Sequence, residues 1–121
     1  MKKLALAMLL AVYSASSLAH VKLTSSAPEK NSVVVNSVST IHLAFSGDVR
    51  LARLQILDTQ GGVTEVPFEK DTQERSTFDI ELKSPLATNG RYLLKWSSLG
   101  GDGHVMVGTV PFELNISDQS H

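Results

Sequence analysis

Beyond residue 20 the chain alternates apolar and polar positions in short runs, each bounded by residues that favour turns. Ile41, Leu43 and Phe45 share one side of an extended segment, with His42 and Ala44 on the other. Successive side chains of a strand point to opposite faces, so this spacing predicts a half-buried strand. The period recurs at Ala52, Leu54 and Ile56, at Phe78, Ile80 and Leu82, and at Tyr92, Leu94 and Trp96. Further strands are predicted at residues 21–25, 33–35 and 63–66, and in a long final run at 105–116. Between them lie turn-forming stretches: Ala27-Pro28-Glu29-Lys30-Asn31, Asp58-Thr59-Gln60-Gly61-Gly62, Asn89-Gly90 and Leu99-Gly100-Gly101-Asp102-Gly103. Residues 67–75 read as a polar loop. No segment of ten or more residues after the first twenty carries a helical period. Seven or eight strands in about 100 residues predict an all-β fold, a β-sandwich of immunoglobulin-like type.

The first twenty residues follow a different rule. Met1-Lys2-Lys3 is a short cationic start, residues 4–12 are apolar, and Ser17 and Ala19 are small residues at −3 and −1 of a cut before His20. This is the layout of a secretory signal peptide, and the apolar run is short for a retained membrane anchor. Residues 1–19 are therefore expected to be cleaved, leaving one domain at 20–121. A dilysine start points to a bacterial export signal and a periplasmic destination. Cleavage would also give His20 a free α-amine.

The whole chain has 121 residues, a formal charge of −1, four His and no Cys. That charge gives no reason to expect nucleic acid as a partner. Without cysteine there is no disulfide scaffold, Cys-based zinc finger, iron–sulfur cluster or thiol catalysis. Gly-x-Ser-x-Gly, Walker and His-Glu-x-x-His patterns are absent. Glu65 with Glu69, and Asp79 with Glu81, read as solubilising charge on exposed strand faces.

Two places could carry metal chemistry. At His20, an α-amine and the imidazole Nδ1 can close a six-membered chelate suited to tetragonal Cu(II). Any residue can follow a signal cut, however, so the position alone leaves both readings open. In Asp102-Gly103-His104, a carboxylate and an imidazole two residues apart sit on a loop entering a strand and can reach one ion. The same three residues also suit a hairpin loop with a turn-forming Asp and an exposed His. Taken together, the nitrogen donors and carboxylate favour copper or zinc, and the chelating amine favours Cu(II). Met106 shares a face with His104, though packing is the usual role of such a residue. His42 reads as a solvent-facing strand residue, and His121 ends a polar tail. Lys22 stands where a third-position His would permit a square-planar amine–amide–His chelate.

These residues resemble the periplasmic copper-binding CopC family. The resemblance is carried by His20, Leu23-Thr24-Ser25-Ser26-Ala27-Pro28, and Leu43-Ala44-Phe45-Ser46 with Val49. It continues at Leu86, Gly90-Arg91-Tyr92, Trp96, Asp102-Gly103-His104, Gly108 and Phe112. Between about Asp58 and Lys83 only the general character matches. The resemblance implies a seven-stranded Greek-key sandwich that binds one Cu(II) ion through His20, Asp102 and His104. It also implies transfer of copper to a CopD-like inner-membrane protein. Many members begin His-x-His, and Lys22 removes that second His. Met106 is the only methionine after residue 19, so no Met-rich Cu(I) loop can form.

The leading functional reading is a non-catalytic, monomeric copper carrier or buffer. A histidine-brace copper monooxygenase of the lytic polysaccharide type is the enzymatic rival, but the chain is short and offers no aromatic sugar platform. The third reading is a secreted interaction module in which His20 is incidental.

Overall fold

The computed structural model describes residues 21–69 and 73–117; the expected signal segment lies outside the described residues. Seven strands form: β1 (Leu23–Ala27), β2 (Ser32–Val34), β3 (Val38–Leu57), β4 (Val63–Glu65), β5 (Arg75–Leu86), β6 (Gly90–Leu99) and β7 (Val105–Leu114). Among the described residues there is no helix.

The architecture turns on β3, which is 20 residues long. Its first part, to Val49, pairs antiparallel with β5 and, on the other side, with β1. From Arg50 onward it pairs antiparallel with β6 and β4. One strand therefore belongs to two sheets, β1-β3-β5 and β4-β3-β6-β7-β2. The sequence pattern predicted two separate strands here. Ser46-Gly47-Asp48 separates the two apolar runs, but the strand continues through these residues without a break. Register shifts between Ala44 and Val49, and between Leu51 and Arg53, mark the irregular stretches. Such bulges increase local bend and twist. The second shift also changes the face assignment, so that Leu51 is buried in place of Ala52.

The two sheets close on one core. Ile41, Leu43, Phe45 and Ile80 of the first sheet meet Leu54, Ile56, Leu94, Trp96, Val110 and Phe112 of the second. Ile41, Leu43, Leu54 and Leu94 are fully buried, each contributing roughly 1.5–3 kcal/mol of hydrophobic stabilisation. Phe45 bridges the layers, with its ring edge-on to Trp96 at 5.1 Å between centroids and to Phe78 at 5.9 Å. The result is the expected β-sandwich.

The turns follow their residue chemistry. Asp58 accepts the N–H groups of Gln60 and Gly62 on one carboxylate oxygen and closes the β3–β4 hairpin. Asn89-Gly90 has a different task, because β5 and β6 lie in different sheets and the turn carries the chain between them. The Asn89 side chain bonds both the N–H and the carbonyl of Ile116, at 2.7 and 3.1 Å. Tyr92 donates its hydroxyl to the Thr88 carbonyl, the arrangement of a tyrosine corner. The first strand starts at Leu23, two residues later than the alternation suggested, and extends to Ala27.

Candidate metal centre

The loop between β6 and β7 is a tight hairpin. Gly100 N–H donates to the His104 carbonyl, and Gly103 N–H donates to the Gly100 carbonyl, both at 3.0 Å. Gly103 has φ +87, a left-handed conformation that a residue with a Cβ adopts only at a cost. This backbone turns Asp102 and His104 toward each other. One Asp102 oxygen accepts the His104 backbone N–H at 3.1 Å, and the other lies 2.8 Å from His104 Nδ1. Both side chains are open to solvent, His104 at 82%. The backbone N–H of His104, and then its imidazole, hold the Asp102 carboxyl below the usual carboxylate range. The turn-forming role and the juxtaposition of carboxylate with imidazole are thus realised in the same three residues. Chemically the loop offers an ionised carboxylate and an accessible imidazole, a donor set that suits a borderline divalent cation.

The start of the described chain lies at the same end of the sandwich. Lys22 N–H donates to Ser46 Oγ at 3.0 Å, and Ser46 N–H donates to the Lys22 carbonyl at 2.8 Å. A Cβ on Gly47 would sit 3.3 Å from Val21 Cγ2, so Val21 packs directly over that glycine. Three residues further along β3, Arg50 pairs with Leu99, the last residue of β6 before the loop. At about 3.3 Å per residue, roughly 10 Å of strand separates the Val21 contact from the root of the loop. His20 and His121 lie outside the described residues. Among the described residues no group of three or more His, Asp or Glu side chains could hold a metal ion.

Met106 packs beside this loop, with its Cε 3.6 Å from where a Gly100 Cβ would be, and it is partly buried against the core. His42 lies on the outward face of β3, as its sequence reading has it, and it also has a partner there. It is only half exposed, and its Nδ1 lies 2.5 Å from Asp79 Oδ1 on β5. The two residues stand directly opposite in the β3–β5 register. Sequence reasoning missed this pair because 37 positions separate its members and only the register joins them. Glu65 is likewise engaged, accepting from Arg53 at 2.8 Å and from Gln55 at 2.6 Å, with its carboxyl lowered chiefly by the Arg53 hydrogen bond.

A family model described as the CopC domain matches residues 23–115. Among solved structures, CopC from Methylosinus trichosporium OB3b is 24% identical, with 84% of this chain and 100% of that one covered and a TM-score of 0.71. PcoC, a methionine-rich copper resistance protein from Escherichia coli, is also 24% identical, with 80% and 100% covered and a TM-score of 0.59. No curated protein sequence matches the chain.

Proposed function

Because the chain belongs to the CopC family, we propose that it is a periplasmic Cu(II)-binding protein that carries or buffers copper without catalysing a reaction. Its cargo is one Cu(II) ion, held by the α-amine and imidazole of His20 together with Asp102 and His104. A CopD-like inner-membrane protein receives the metal. The observation that carries this reading is the Asp102–His104 pair, fixed by a tight glycine hairpin and open to solvent. It stands at the end of the sandwich where Val21, the residue after His20, begins the described chain. Amine, imidazole and carboxylate form a nitrogen- and oxygen-rich donor set of the kind Cu(II) favours. Met106, the one thioether after residue 19, is occupied in packing.

Copper titration of the protein beginning at His20, with its electron spin resonance spectrum recorded, tests the assignment. His104→Ala is expected to weaken Cu(II) binding by at least about a hundredfold, roughly 2.7 kcal/mol. His42→Ala, which removes an imidazole bonded to Asp79 on the outer face of β3, is expected to leave binding nearly unchanged. The reverse ranking would overturn the site.

A further inference from the structure

The Asp102–His104 loop has a neighbour from the other sheet. Glu74 is the residue before β5, and Arg75, the first residue of that strand, pairs with Val49 of β3. The next residue of β3, Arg50, pairs with Leu99 at the root of the loop. The strand shared by both sheets thus brings the start of β5 to the loop. A Cβ on Gly101 would lie 3.7 Å from Glu74 Oε2 and 3.9 Å from Oε1. Both carboxylate oxygens therefore sit over the residue that precedes Asp102.

Glu74 is exposed and makes no hydrogen bond or ion pair among the described residues. Its cationic neighbour Arg75 lines a cleft with Arg50, Phe68 and Phe78, to which Glu74 does not contribute. Other carboxylates are engaged: Glu65 holds Arg53, and Asp79 holds His42. Glu74 instead stands against the loop that carries Asp102 and His104, with no cation beside it among the described residues.

The copper site proposed above leaves a charge unbalanced. Nitrogen donors bind a metal in their neutral form, so the amine and the two imidazoles add no charge, and Asp102 supplies one negative charge. With Cu(II) in place the site would carry a net positive charge. We propose that Glu74 is the counter-charge of the loaded site, acting on the ion through space and not as a ligand. The inference rests on the copper reading and adds to it a residue from outside the donor set. Like charges are kept apart in the empty protein, because Glu74 lies over the Gly101 backbone and not over Asp102 itself. A charge acting through space holds a doubly charged ion more tightly than a singly charged one. Glu74 therefore also adds to the preference for Cu(II) over Cu(I).

The test is a Cu(II) titration of the chain beginning at His20 against a competing chelator, in about 10 mM and about 1 M of a non-coordinating salt. Glu74→Gln should weaken binding about fivefold at low salt, the effect of one charge about 8 Å from a doubly charged ion in water. Glu74→Lys reverses the charge and should weaken it about twentyfold. At high salt, where the screening length is about 3 Å, both losses should shrink below about twofold. Glu81→Gln, seven residues further along β5 and so roughly 23 Å away, should leave binding nearly unchanged. The electron spin resonance spectrum of each loaded variant should match the parent's, because the donors are the same. Circular dichroism checks that the variants fold as the parent does. Equal affinity of Glu74→Gln and parent overturns the proposal while the His104 site stands. So does a loss that persists at high salt, or an altered spectrum, which would make Glu74 a ligand. Parent binding that survives His104→Ala overturns the copper site itself, and this inference with it.

Discussion

Asp102 accepts two hydrogen bonds, both from His104, and this keeps its carboxylate ionised to lower pH than an ordinary aspartate. A carboxyl lowered in the folded state adds stability that is present above its unfolded pKa of about 3.9 and is lost as pH falls through the lower folded value. Between pH 7 and 5 Asp102 therefore stays charged and available. Across that window an ordinary α-amine, near ~7.8, is already mostly protonated, and an ordinary imidazole, near ~6.5, becomes so. Apparent Cu(II) affinity is accordingly expected to fall steeply from about pH 7 to 5, because the metal must displace those protons. A flat profile in a competition titration would show that neither nitrogen is a ligand. This part of the candidate site is legible in sequence because Asp102 and His104 are two positions apart and one loop fixes both. The His42–Asp79 pair is not, since it depends on which residue of β5 faces His42.

The β6–β7 hairpin depends on two glycines for opposite reasons. Gly103 has open space where a Cβ would be, so Gly103→Ala meets only the backbone cost of φ +87. That substitution is expected to destabilise the fold by about 1 kcal/mol and to loosen the Asp102–His104 turn. Thermal unfolding, together with a weaker copper titration, would register both effects. Gly108 has no unusual backbone angle, but a Cβ there would lie 2.5 Å from Trp96 Cζ2 and 2.8 Å from Nε1. Gly108→Ala is expected to cost roughly 1–3 kcal/mol by overpacking and to shift the fluorescence of Trp96, the sole tryptophan. An unchanged melting temperature and spectrum would contradict that contact. Alternation revealed the inward faces of β5 and β6 because each keeps a period of two along its buried stretch. It failed at Ala52, where a register shift with β6 resets the period. It could not reveal that β2 lies parallel to β7 or that β5 and β6 occupy different sheets, because partner choice is a tertiary property.

For the whole molecule, the predicted dependence on its first residue is the sharpest test. If His20 is the mature N-terminus, adding one Ala before it converts the amine into an amide, a poor donor unless the metal removes its proton. The fold should be unaffected, because the addition is at a terminus and removes no core contact. Cu(II) affinity should fall at least about a hundredfold, roughly 2.7 kcal/mol, by titration against a competing chelator. Equal affinity for the two forms would remove the amine from the site. The length of β3 bears on how the chain folds. Since that one strand serves both sheets, neither can be completed from a contiguous stretch of chain. Its first part waits for β5, and its second for β6 and β7 near the far end of the sequence. Topologies ruled by such distant pairings reach their folding barrier slowly, since loop closure must precede the contacts that reward it. If residues 1–19 act as the export signal that their layout predicts, slow closure is an advantage: the polypeptide would remain threadable until its last strand had crossed the membrane.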